Sequence, residues 1–285
     1  MSILSEFMHS YAPQNGWGTF FTAAFGAFAG AFAASRAHNK RTIVAELNAL
    51  NAAHQLSIAT ANIVLALKRQ SVGPLKPGIE RLRMAYESHK TMVRAGSPLA
   101  PFRFELDMNS LTLPATPHVA LEKMIFEKTL VRGRALAALV SLVGAIDSLD
   151  MSVKIRNEMV EERRTAQWND QERLEFVLGL RSAAGIVDLR FPTNIEAITR
   201  YTDDCIFFAK TLATDLAEYA NTLRWKASWF YYLRIPKIDE PNWSWAGGLI
   251  PNEENYSNWL RGFPSRRAPR WKQFFASLKR KAEAT

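Results

Sequence analysis

Charge is missing from the start of this chain: after Glu6, no Asp, Glu, Lys or Arg occurs until Arg36. Inside that gap, Trp17–Ala34 is an 18-residue run made only of Phe, Ala, Gly, Thr and Trp. At about 1.5 Å per residue a helix of this run reaches about 27 Å, close to the roughly 30 Å hydrocarbon core of a bilayer. Asn15 and Gly16 would then meet one interface, and Ser35 and Arg36 the other.

Cysteine is almost as scarce. The single thiol, Cys205, cannot close an intrachain disulfide, so no disulfide framework holds the fold and nothing opposes a reducing compartment. Enzyme signatures are absent too. No G-x-x-x-x-G-K-[ST], G-x-G-x-x-G, H-E-x-x-H or G-x-S-x-G occurs, which removes the commonest phosphate-binding, dinucleotide-binding, zinc-peptidase and serine-hydrolase routes. A helical di-iron centre needs paired Glu-x-x-His motifs, and the chain does not hold two. With one cysteine, a thiolate zinc site would need unusual ligands. The expectation is therefore no catalytic residue, no metal and no cofactor.

What is present begins with order inside the apolar run. Gly18, Thr22, Gly26, Gly30 and Ala34 recur every four residues and form one stripe of small side chains, while Phe21, Phe25, Phe28 and Phe32 step around another face. In lipid, close backbone approach along such a stripe supplies helix packing, and Gly26 to Gly30 is a literal G-x-x-x-G. Two readings compete with a membrane span: a buried helix of a soluble protein, and a cleaved signal ending at Ala31-Phe32-Ala33. Against the signal, the first 16 residues carry Glu6 and no basic residue. Arg36, Lys40 and Arg41 follow the run, so the positive-inside rule leaves the body in the cytosol and sends the short N-terminal tail across. The sequons Asn242-Trp243-Ser244 and Asn255-Tyr256-Ser257 would then stay unused.

The body reads as helical. Leu47, Leu50, His54, Ser57, Ala61, Val64 and Lys68 alternate three and four apart, a weak heptad stripe. Gly73, Pro74, Pro77 and Gly78 should end that helix, with Ile79–Arg94 folding back as a hairpin. Four prolines punctuate the stretch from Gly96 to Pro117, in which Phe102–Asp107 alternates as a short strand would. Thr116-Pro117 should start a long helix to about Arg164, whose uncharged centre, Ala135–Ile146, is too short to span a bilayer and suits a core. Asn169 with Glu172, and Thr193 with Glu196, look like helix caps, the second opening a helix to about Leu233. After Pro236, repeated Pro and Gly break any long element.

The expected architecture is all-α: a short tail at 1–16, a single transmembrane helix at 17–35, a helical bundle at 36–235, and an irregular, aromatic-rich segment at 236–285. Six tryptophans fall between Trp225 and Trp271. Trp225, Trp229, Phe230, Tyr231 and Tyr232 are read foremost as closing the core of the bundle, with a membrane-interface belt as the alternative. The last segment concentrates charge, with Arg266, Arg267, Arg270, Lys272, Lys279, Arg280 and Lys281 opposite Trp271, Phe274, Phe275 and Leu278 on one helix. A basic amphipathic helix suits anionic lipid and also nucleic acid.

The leading functional expectation is a non-enzymatic, membrane-anchored helical protein that self-associates, contacts membrane lipid through its tail and binds a protein partner. A membrane-tethered nucleic-acid-binding module is the alternative. A metal-dependent enzyme built on Asp147, Asp150, Asp203 and Asp204 is a third reading, set against ordinary solvated carboxylates and an i,i+4 pair of Asp150 with Lys154. His54 is read as a hydrogen-bonded core histidine before a base, and Cys205 as a small buried hydrophobe.

Overall fold

The three-four stripe that begins at Leu47 folds as one face of a helix, and that helix starts well before the stripe does. The computed structural model describes residues 16–96, 101–104, 106, 108–166, 168–182, 184–232 and 234–264, with side chains from 23 onward. Helix α1 runs Gly16–Leu67, so the apolar run and the first body helix are a single element of 52 residues. Among the described residues the chain is all-α and contains no strand.

The hairpin expected at Gly73–Gly78 does not form. The chain instead passes through a π-turn, Lys68–Val72, into α2, Gly73–Arg94, and both Val72 and Gly73 keep right-handed helical angles. Pro74 and Pro77 both lie within the continuous helix and withhold their N–H donors from it, and the wider π-turn just before them carries the Gly73 N–H to the Lys68 carbonyl. The turn also repairs the stripe. The buried positions run Val64, Leu65 and Leu67 and then step five residues to Val72 before Ile79 and Leu82 resume the pattern, and the extra residue of the π-turn absorbs that wider step.

Among the described residues of the Phe102–Asp107 stretch there is likewise no strand. Phe102, Phe104 and Leu106 lie against the core formed by Ile79, Leu82, Met159, Val160, Leu174 and Phe191, so the alternation records an extended chain laid on helices. The long helix expected after Pro117 is two helices, α3 (His118–Lys128) and α4 (Arg134–Thr165). Between them Thr129 is extended and Gly133 has φ +68°, a conformation that favours glycine, while Glu46 of α1 accepts the Leu130 N–H at 2.9 Å. Thr116 does not cap α3; its hydroxyl meets His118 Nδ1 at 2.8 Å.

Helix α5 (Asp170–Leu178) opens on the expected capping box, with Asn169 and Glu172 satisfying each other's backbone N–H groups. Helix α6 (Arg190–Tyr231) starts three residues earlier than Thr193 suggested, because Asp188 rather than Thr193 accepts the free Arg190 N–H. Two 3₁₀ turns, Ser244–Leu249 and Glu253–Tyr256, and the short α7 (Ser257–Gly262) complete the irregular C-terminal segment.

Helix α6 is the central strut, packed on one side by α1 and on the other by α4. Both neighbours run antiparallel to it. Along the α1 seam, Ser57 donates to the Ala209 carbonyl, Tyr219 donates to Glu46, and Arg36 donates to the Phe230 carbonyl. Each step of ten or eleven residues down α1 therefore matches ten or eleven up α6. Along the α4 seam Asn194 donates to the Ser152 carbonyl, and Arg134 grips Asp215 with two parallel N–H donors. Leu50, Leu65, Leu139, Leu142, Leu212 and Leu216 fill the interior completely, each such burial contributing about 1.5–3 kcal/mol. Ala135, Ala138, Leu139, Leu142 and Ala145 are buried, as a core reading of the uncharged centre of α4 requires.

A Cβ at Gly73 would stand 2.8 Å from the Lys68 carbonyl oxygen, whereas one at the exposed helical Gly144 would meet nothing within 4 Å. Gly73→Ala is expected to lower unfolding free energy by about 1–3 kcal/mol through forced backbone movement. Gly144→Ala should raise it by up to about 1 kcal/mol through helix propensity. Denaturant titration of the two variants checks the opposite signs.

Candidate functional site

The part of α1 that precedes the bundle packs its apolar side chains against none of the described residues. Every described residue from Ala23 to Thr42 is exposed, and the three largest apolar side chains there, Phe25, Phe28 and Phe32, are 77%, 72% and 60% exposed. Alanine and phenylalanine sustain the helix, and none of the described residues covers its apolar side chains. A Cβ at Gly26 or Gly30 would meet nothing within 4 Å, so that stretch of the small-residue stripe, with Ala34, lies open. Gly18 and Thr22 belong to the same helix but lie where side chains are outside the described residues.

Two helices among the described residues are long and apolar enough to cross a membrane: the continuous α1–α2 element and α4. The qualifying stretch is 50% buried in α1–α2 and 44% buried in α4, so in both helices it lies in the bundle. The Phe-rich end of α1, exposed throughout from 23 to 42, is a separate apolar surface that presents its rings to the outside.

The aromatic end of α6 was expected first of all inside the core, and the structure corrects this. Trp225, Trp229, Phe230 and Tyr232 are 53%, 70%, 60% and 85% exposed. The core is closed instead by Phe207 and Phe208 against Tyr256 and Trp259, with the rings of Phe207 and Tyr256 stacked at 3.7 Å. The reason is a length mismatch. Helix α4 begins at Arg134, level with Asp215, while α6 continues to Tyr231. The last 16 residues of α6, about 24 Å at 1.5 Å per residue, extend past the end of α4. No motif in the sequence encodes that mismatch, so the fate of these rings was not readable there.

Of the carboxylates expected to form a metal site, Asp150, Asp203 and Asp204 are each engaged with another side chain. Asp203 pairs with Lys68, which also donates to the Leu249 carbonyl. Asp204 accepts from the Tyr256 hydroxyl at 2.9 Å, and burial raises its pKa. Asp150 pairs with Lys154 on the outside of α4 at 2.7 Å. Among the described residues no group of three His, Cys, Asp or Glu side chains is arranged to hold a metal ion. Cys205 is fully buried, and burial pushes its thiol well above the usual range, so it is unreactive. The basic and aromatic tail residues, Arg266, Arg267, Arg270, Trp271, Lys272, Phe274, Phe275, Lys279, Arg280 and Lys281, lie outside the described residues.

His54 is buried on the α1 stripe, with Nδ1 3.5 Å from Gln55 Nε2 and Nε2 without a hydrogen-bond partner. Burial lowers its pKa. The unfolded chain, at about 6.5, therefore takes up its proton first as pH falls, so the folded state is fully favoured above that pH and loses stability as pH drops through it. His54→Leu is expected to flatten the loss between pH 7.5 and pH 5. Removing a buried unsatisfied nitrogen should also leave stability at neutral pH equal or higher. Thermal denaturation across pH checks both effects.

No family model matches this chain, and neither a curated protein nor a solved structure similar to it was found.

Proposed function

We propose that this chain is a non-enzymatic membrane protein in which the first part of α1 is a single-pass anchor and the helical bundle is a cytosolic interaction body. One observation carries the reading: a continuous apolar helix end whose Phe25, Phe28 and Phe32 all lie outside, on a protein whose Leu50, Leu65, Leu139, Leu142, Leu212 and Leu216 are fully buried. Rings of this size are stable in water only at considerable cost, and hydrocarbon removes that cost while leaving the backbone satisfied within the helix. The body faces the cytosol because Arg36, Lys40 and Arg41 follow the run.

Self-association follows from the same helix. Gly18, Thr22, Gly26, Gly30 and Ala34 offer a surface on which a second anchor can approach closely, and the Phe face is left to acyl chains. The tail from Arg266 to Lys281, with Trp271, Phe274 and Phe275, adds a basic amphipathic contact to anionic lipid, and the exposed faces of the bundle are left for a protein partner. Engagement of nucleic acid by that tail is the competing use of the same charges.

Two outcomes test this reading. Deleting 17–34 should release the body from a carbonate-resistant membrane fraction into a soluble, cooperatively folding form, since the described core lies entirely after Arg41. An unfolded deletion product would make the segment a core helix and defeat the anchor. Gly26→Ile with Gly30→Ile should reduce crosslinked oligomers in detergent micelles while membrane extraction behaviour stays unchanged. Unaltered crosslinking would leave the stripe without a role.

A further inference from the structure

The exposed end of α6 lies at one particular height on the molecule. Arg36 donates to the Phe230 carbonyl at 3.0 Å, which sets Phe230 beside the first charged residue after the uncharged run. By the same antiparallel register, Trp225 stands level with Arg41, and Trp229 about one turn closer to the run. Tyr232 reaches the level at which the run ends. The rings thus form a band next to the boundary of the anchor. They lie neither beside its apolar middle nor out along the bundle.

The chemistry of that band is mixed. Trp225 and Trp229 stack on each other with centroids 6.3 Å apart, and Tyr232 is 85% exposed. Around them α6 and the chain after it carry Arg224, Lys226 and Arg234, with Lys237 paired to Asp239 at 3.9 Å, and α1 contributes Arg36, Lys40 and Arg41. Large aromatic rings with a polar edge, interleaved with an excess of cations, suit the headgroup layer, where the ring is half apolar and half wet and the cations meet lipid phosphates. A protein partner at this height would have to share its space with the membrane surface.

Resting on the anchor reading above, we infer that the end of α6 is a second membrane contact. Trp225, Trp229, Phe230 and Tyr232, with Arg36 and Lys226, seat the bundle in the headgroup layer of the bilayer that holds α1, with a preference for anionic lipid. The body then stands against the membrane surface on two helices instead of pivoting on one.

The test uses the full chain reconstituted in vesicles of phosphatidylcholine with phosphatidylglycerol. Cys205 is fully buried and takes no label. Single cysteines placed by Phe28→Cys, Tyr232→Cys and Ile186→Cys each carry an environment-sensitive fluorophore. Ile186 is exposed just before the start of α6, and the 42 residues of that helix put it roughly 60 Å from Tyr232. The label at 28 should be blue-shifted and quenched by nitroxides on acyl chains. At 232 it should be blue-shifted and quenched by nitroxides at the headgroup, and at 186 it should be quenched by neither. Trp225→Ser with Trp229→Ser, both at exposed positions, should reduce headgroup quenching at 232 several-fold and leave quenching at 28 unchanged. Replacing phosphatidylglycerol by phosphatidylcholine should weaken quenching at 232 alone. A water-like signal at 232 with a lipid-quenched signal at 28 overturns the second contact and keeps the anchor. A shielded signal at 232 that no lipid nitroxide quenches means that protein covers the site, which also overturns it. A water-like signal at 28 instead sinks the anchor itself.

Discussion

The antiparallel seam between α1 and α6 is the constraint on which the rest of this structure depends. Because α1 is a single helix, the half that faces outward and the half that builds the core cannot move independently. Glu46 shows how the seam organises its surroundings: its carboxylate receives the hydroxyl of Tyr219 on α6 and the Leu130 N–H in the break between α3 and α4. One side chain thereby fixes the register of α6 and the position of the α3–α4 turn. At the other end Lys68 plays the same part, tying α1 to Asp203 of α6 and to the Leu249 carbonyl of the C-terminal segment. The π-turn begins at this lysine, so the widened turn and the polar clamp occupy one place.

Hydrogen bonds and ion pairs among the described residues of the bundle tie its helices to one another. The strongest candidate chemistry, a thiol next to two carboxylates, is inert for identifiable reasons: Cys205 is sealed in apolar surroundings, Asp203 is neutralised by Lys68, and Asp204 is capped by Tyr256. Burial and the Asp204 contact push the Tyr256 phenol upward in turn, so it stays a hydrogen-bond donor.

What the sequence made legible was periodic or local. The stripe from Leu47 to Val64 was readable because buried residues recur at helical spacing, and the Asn169–Glu172 box because both partners lie within four residues. The uncharged gap before Arg36 was readable from composition alone. The continuation through Gly73–Gly78 was not, because proline and glycine usually end a helix, and only the backbone shows that a π-turn accommodates them. The apparent strand at Phe102 misled because alternating burial on a helical surface copies the period of a sheet. The aromatic end of α6 depended on the relative lengths of two helices far apart in sequence, which no window of residues contains.

One consequence of the unbroken α1–α2 element concerns mechanics. From Arg36 to Arg94 the chain climbs through 58 residues with no reversal, about 87 Å along the axis at 1.5 Å per residue. Transmembrane helices commonly lean about 20° from the bilayer normal, by an amount that follows the thickness of the lipid. On a lever of this length such a lean carries the far end about 30 Å sideways. With the first part of α1 anchored as proposed, bilayer thickness would thereby set the lateral position of the end of α2, beyond the core around Ile79 and Phe191.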